Sequence, residues 1–159
     1  RVNNAVILLE DPARLPSAQP LDAWRRTFDT NLFAVVEVTR SFLPLLRRSA
    51  AGRIVNVSSV LGSSTLHADP SSPIHGFKIP AYSASKSALN AWTVQLAWEL
   101  RDGPIKVNAV HPGYVRTGMN GGNSEIEVAE GARSSMRMAL LGADGASGSF
   151  THLGQVLPW

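Results

Sequence analysis

Apolar and polar positions follow two rhythms along this chain. Residues 1–9, Arg-Val-Asn-Asn-Ala-Val-Ile-Leu-Leu, read as a buried strand that breaks at Asn3-Asn4. Pro12, Pro16 and Pro20 make 10–20 a loop. From Leu21-Asp22 the spacing becomes helical: Trp24, Phe28, Leu32, Val35, Phe42 and Leu46 share one stripe, with Thr39 in its single polar place. This predicts a helix to about Arg48, kinked near Pro44 and ended by Ser49-Ala-Ala-Gly52. The β-branched run Arg53-Ile-Val-Asn-Val-Ser-Ser-Val-Leu-Gly62 predicts a buried parallel strand. Residues 63–79, rich in Ser, Pro, Asp and His, predict a long loop. A second long helix is expected from Pro80 to about Arg101, carried by Leu89, Trp92, Val94, Leu96, Ala97 and Leu100 and stopped at Asp102-Gly-Pro104. Ile105–His111 is another short strand, closed by Pro112-Gly113. A loop over 114–124, a third helix over 125–141 and a weak strand near Gly148–His152 complete the pattern, ahead of the tail Leu157-Pro-Trp159.

Strand, helix, strand, helix, strand, helix, strand is the order of an α/β fold: a Rossmann-like, doubly wound parallel sheet of about four strands, joined by right-handed crossovers. Ligands of such sheets lie beyond the carboxyl ends of the strands. Here those ends are Asn3-Asn4, Ser58-Ser59 and Pro112-Gly113. No repeat or linker divides the chain, so 1–159 reads as a single domain.

Composition narrows the function classes. Of 159 residues, 44% are hydrophobic and 17% charged, an ordinary globular balance. The net charge of +3 is dispersed, apart from Arg25-Arg26 and Arg47-Arg48, which read as solvated helix faces rather than a nucleic-acid surface. With no cysteine there is no disulfide and no thiolate metal site, and a cytoplasmic location fits. No apolar run reaches the length of a membrane helix. Asn56-Val57-Ser58 matches a glycosylation sequon inside a strand pattern and is read as accidental. His67, His75, His111 and His152 lack metal-ligand spacing; no metal is expected, and all four read as structural or solvated.

Pro80-Ala-Tyr-Ser-Ala-Ser-Lys86 carries the candidate chemistry. Tyr82 and Lys86, four apart, lie on one helix face. An ammonium beside a phenol favours phenolate and lowers the tyrosine pKa from about 10. Such a tyrosine exchanges a proton with substrate oxygen near neutral pH. The pair alone is a common coincidence, and Asn31 and Ser59 taken singly are a packing asparagine and a strand-end serine.

Together, Asn3-Asn-Ala5, Asn31, Ile54-Val-Asn-Val-Ser-Ser59, Tyr82-x-x-x-Lys86 and Pro112-Gly113 resemble the short-chain dehydrogenase/reductase family, in order and across essentially the whole chain. The resemblance implies an oxidoreductase that moves a hydride between NAD(P)(H) and a carbonyl or secondary alcohol. On these positions it implies Tyr82 as acid/base, and Lys86 lowering the Tyr82 pKa and bonding the nicotinamide ribose. Ser59 would polarise the substrate oxygen, and Asn31 would hold a relay water. Asn4 and Ala5 would line the cofactor cleft, and Pro112, Gly113, Val115 and Thr117 would hold the carboxamide. NADP is favoured over NAD. The family also implies a homodimer or homotetramer through 21–48 and 80–101 in the complete protein, with no nucleic acid or membrane as partner.

Three departures bear on these expectations. Val6 stands where the family has glycine and would crowd the ribose. Ser59 and Tyr82 are 23 residues apart, with His67–Pro80 as surplus, which is expected to form a lid or pocket wall; a bacterial subgroup is similar in this insert and in the Leu-Pro-Trp tail. Thirteen glycines include no Gly-x-Gly, so the pyrophosphate turn is lacking. The chain opens on Arg1 and reads as entered midway, as an incomplete fold whose first strand has an open hydrophobic edge. The chain alone is therefore expected to bind NADPH negligibly. An inactive fragment or pseudoenzyme is the alternative. A remote one is a serine acylase, since Ser83-Ala-Ser-Lys86 fits Ser-x-x-Lys and Arg116-Thr117-Gly118 is faintly similar to Lys-Thr-Gly.

Overall fold

Five short strands form one sheet in the order β1 (Val2–Asn3), β2 (Arg53–Val57), β3 (Lys106–Val110), β4 (Phe150–His152) and β5 (Gln155–Val156). The computed structural model describes residues 1–159 throughout. β1 to β4 are parallel. β5 turns back antiparallel on β4, a strand the hydrophobic pattern does not announce because both its residues are exposed. The first strand is only two residues long, and β2 is its sole neighbour.

Helices cover both faces of this sheet: α1 (Leu21–Phe28), α2 (Ala34–Leu46), α3 (Ser64–Ala68), α4 (Pro80–Glu99) and α5 (Val128–Ala139). Alternation along β2 divides the core. Ile54 and Val107 meet Leu96, Ala97 and Leu100 of the α4 segment on one side. Val55, Val57 and Val110 meet Met138 of α5 on the other. Full burial of each such side chain contributes about 1.5–3 kcal/mol. Because α4 and α5 lie on opposite faces while the strand order advances the same way, their two crossovers have opposite hand. The rule of uniformly right-handed crossovers therefore does not hold throughout. The long segment between β3 and α5 gives the chain room to pass to the face α4 leaves bare.

The predicted first helix is continuous in course but not in winding. A π-turn, Asp29–Phe33, joins α1 to α2. The buried positions are Ala23, Thr27, Asn31, Val35 and Thr39, every fourth residue. Each four-residue step on an α-helix drifts by about 40°. The wider π-turn absorbs that drift and keeps Asn31 and Thr39 facing inward. The large apolar residues flank this line instead of forming it: Trp24, Phe28 and Leu32 are half-buried, and Phe42 is exposed. Small and polar residues sit inward because α4 packs close against this helix. In α4 itself Val94, expected in the core, is exposed for the same reason of facing.

The expected loop over 63–79 is partly helical. Ser63 caps α3 by accepting from the Leu66 N–H at 3.2 Å. His67 Nε2 bonds the Leu61 carbonyl at 3.0 Å, and His75 Nδ1 bonds the His67 carbonyl at 3.0 Å. The insert also meets the tail, since the Thr65 N–H donates to the Trp159 carbonyl at 3.0 Å and the Trp159 ring stacks on Phe150. No helix is long and apolar enough to cross a membrane.

Candidate active site

The carboxyl ends of β2, β3 and β4 meet at one level, where the Ser58 N–H donates to Val110 and the His111 N–H to Thr151, each at 2.8 Å. Lys86 reaches this level from α4. Its side chain is 2% exposed, and Nζ donates to the Val57 carbonyl at 2.8 Å. Gly62 permits the approach: a Cβ there would lie 2.9 Å from the Lys86 backbone carbon and from its Cβ. Ser87 then closes the contact by donating to the Gly62 carbonyl at 2.9 Å.

Tyr82 is buried one turn before Lys86, whose Nζ stands 5.7 Å from the phenol ring centroid. Ser59 follows β2, where its Oγ accepts the Leu61 N–H at 3.2 Å. Burial raises the Tyr82 pKa above 10.0, and the Ser59 hydroxyl, as hydrogen-bond partner, pulls it back in part. Burial lowers Lys86 to about 8. The lowering expected from Lys86 does not appear: burial is the largest influence on Tyr82, and the ammonium is directed to the Val57 carbonyl. Tyr82 rests as a protonated phenol at neutral pH.

Asn31, fully buried in the π-turn, ties three elements together. Its Oδ1 accepts the Ile7 N–H at 2.9 Å, and its Nδ2 donates to the Ile7 carbonyl at 3.0 Å and to Ser85 Oγ at 3.1 Å. Ser85 Oγ in turn donates to the Tyr82 carbonyl at 2.7 Å. Asn31 is thus linked through Ser85 to the Tyr82 backbone, while Lys86 is tied to the Val57 carbonyl at the end of β2, two residues before Ser59. Asn4 and Ala5 lie exposed just beyond β1, on the segment Asn31 holds. Asn56, of the sequon, is fully buried between Asn3 and Thr93, which is no place for a glycan.

Pro112, Gly113, Val115 and Thr117 form a separate wall beyond β3. Gly113 adopts φ +92°, and a Cβ there would press Ile126 Cδ1 at 3.0 Å. Val115 fits against Gly131 of α5, while Thr117 is exposed, its N–H bonded by Asn120 Oδ1 at 3.1 Å. No hydrogen bond joins these four to Tyr82. Beside them His111 and His152 stand 5.1 Å apart, His111 held down to about 4 by burial and by its neighbour's charge. Ser83 Oγ has no hydrogen-bond partner, so Lys86 is not its base and the Ser-x-x-Lys acylase arrangement is not formed.

Sequence reasoning missed Glu10, whose carboxylate bonds the start of α4, and the two packing glycines Gly62 and Gly131. A lone acid beside Asp11 in a proline-rich loop carries no local signal. One surface hollow of about 300 Å³, lined by Trp24, Arg25, Phe28, Asp29 and Phe33, contains no site residue.

Known proteins place this arrangement. The family model for short chain dehydrogenase matches residues 2–127. Short-chain dehydrogenase anuI of Penicillium roqueforti is 37% identical over 146 residues, covering 89% of this chain and 57% of the relative. Carbonyl reductase Sniffer of D. melanogaster superposes with a TM-score of 0.82 at 30% identity, covering 99% of this chain and 65% of that one. NADPH-bound carbonyl reductase from chicken fatty liver gives the same TM-score at 26% identity, covering 99% and 64%. This chain thus spans less than two thirds of the length of these three proteins.

Proposed function

The chain belongs to the short-chain dehydrogenase family, and on that premise we propose that it carries the proton-handling site of an NAD(P)(H)-dependent oxidoreductase acting on a carbonyl or secondary alcohol. One observation carries this reading: Tyr82 and Lys86 are buried one turn apart on α4, with Nζ 5.7 Å from the centre of the phenol ring. Bound NAD(P)(H) supplies or accepts the hydride. The residues present suit its nicotinamide end, where Asn4 and Ala5 leave exposed backbone and Gly113 holds a conformation that only glycine adopts freely. They offer no Gly-x-Gly turn for the pyrophosphate. Similar structures include one bound to NADPH and one bound to NAD, and NAD(P)(H) covers both.

In reduction, Tyr82 donates its proton to the carbonyl oxygen. Ser59 orients that oxygen. Lys86, charged below about 8, stabilises the phenolate left behind. Both amide hydrogens of Asn31 are engaged by Ile7 and Ser85, so its side chain has no free donor for the relay water expected there. The His67–Pro80 insert forms the substrate wall. Exposed Leu45 and Trp98 on the two long helices serve a homo-oligomer, and a cysteine-free chain suits the cytoplasm.

The test is Tyr82→Phe, expected to reduce turnover about 10²–10⁴-fold with the fold intact, followed by nicotinamide absorbance and circular dichroism. Undiminished turnover sinks the proposal. Absence of turnover in the unaltered protein favours the second reading, an inactive relative, for which Val6 in place of glycine is the specific observation.

A further inference from the structure

Glu10 is a buried acid with no counter-ion, and its two oxygens have one destination. Oε1 accepts the Ala81 N–H at 2.8 Å, and Oε2 accepts the Tyr82 N–H at 2.6 Å. Glu10 is 6% exposed and forms no ion pair. Helix α4 needs this. Its N-cap, Ile79, offers no side-chain acceptor, and Pro80 at the first position has no N–H. The Ser83 N–H already reaches the Ile79 carbonyl at 3.0 Å. Ala81 and Tyr82 therefore hold the only two orphan donors of the first turn, and one carboxylate from 71 residues away satisfies both. Its negative charge also stands at the positive end of the helix.

The same strap holds Tyr82 from its other end. Asn31 grips Ile7, three residues before Glu10, through both amide groups, and reaches the Tyr82 carbonyl through Ser85. The N–H and the C=O of Tyr82 are thus both tied to segment 7–10, directly at one end and through two side chains at the other. This segment continues from Asn4 and Ala5 at the end of β1.

We propose that Glu10 is a positioning residue for Tyr82: it fixes the backbone of the acid/base residue and so sets where the phenol lies against Ser59 and Lys86. The proposal rests on the reading of Tyr82 as acid/base, but its test does not need turnover. The chain has two tyrosines, and Tyr114 is 59% exposed and outside the cluster, so Tyr114→Phe leaves Tyr82 as the single phenol. In that background, ultraviolet titration reads the Tyr82 phenolate and hydrogen exchange at neutral pH reads its amide. Glu10→Gln, close in size, is expected to bring the phenol back toward about 10 and to quicken exchange of the Tyr82 amide about tenfold. Glu10→Asp, which keeps the charge, is expected to retain part of the effect. If folded Glu10→Gln loses thermal stability but leaves titration and exchange unchanged, Glu10 is a helix cap only and the proposal is overturned. Should Glu10→Gln not fold, Glu10→Asp decides by the same two measurements, and unchanged values again overturn it. Where the altered titration appears in a protein without turnover, the oxidoreductase reading fails and the positioning role stands.

Discussion

Burial acts on three titratable side chains at this site, and each responds according to the charge it must lose. The Tyr82 phenol is pushed up, the Lys86 ammonium down to about 8, and the His111 imidazolium down to about 4. For His111 the folded value lies below the ordinary 6.5, so between 6.5 and about 4 the unfolded chain binds the proton that the folded chain refuses. Stability is therefore full above 6.5 and is lost as pH falls toward about 4, by about 3 kcal/mol. His152, whose Nδ1 bonds the His111 carbonyl at 2.9 Å, is the charged neighbour that adds to this penalty. Urea unfolding across that window should show the slope in the parent and a shallower one in His111→Gln. Equal slopes would assign the acid sensitivity to other groups. The sequence reading placed His111 as structural or solvated; its proximity to His152 depends on β3 and β4 ending together, which no local pattern records.

At the scale of elements, close approaches decide where the walls of the site stand. Gly131 lies in α5 where a Cβ would fall only 2.3 Å from Val115 Cγ2. Gly131→Ala must displace the segment after Gly113 or shift the helix, at a cost of about 1–3 kcal/mol. Val115→Ala opens that space, so the same substitution in a Val115→Ala background should cost distinctly less. A double-mutant cycle by denaturant unfolding measures the difference, and additive costs would sink the account. The hydrophobic stripe predicted for the first long helix shows the same limit of local reading. Its period was legible in Trp24, Phe28 and Leu32, yet the face that turns inward carries Ala23, Thr27, Asn31, Val35 and Thr39. Close helix packing favours small residues with hydrogen-bonding partners over the largest apolar ones.

Across the whole molecule, exposed apolar side chains are scattered, and some of them stand on the long helices α2 and α4. Leu45 and Trp98 are about two thirds exposed, and Arg47 joins Glu99 beside them at 2.8 Å. Exposed residues of this size on packed helices suit an interface between copies of the chain. Trp98→Glu together with Leu45→Glu is expected to convert an oligomer to monomer in sedimentation equilibrium. An unaltered mass distribution, or a monomeric parent, would count against that interface. The chain spans 57% of anuI and 65% of Sniffer, and its own residues include no Gly-x-Gly turn.

The order of strands and helices and the family were legible from the sequence, because alternation, helical spacing and motif order can be read along the chain; Asn31, Ser59, Tyr82 and Lys86 were named there as candidates. The separation of Tyr82 from Lys86 by four was legible too. Their protonation was not. Spacing set an ammonium beside a phenol, but the direction of the pKa shift depends on how much water reaches them, and burial between β2 and α4 made desolvation the larger effect. Glu10 belongs to the tertiary structure in the same way: a carboxylate meets orphan N–H groups 72 residues away only once the chain has closed around Asn31.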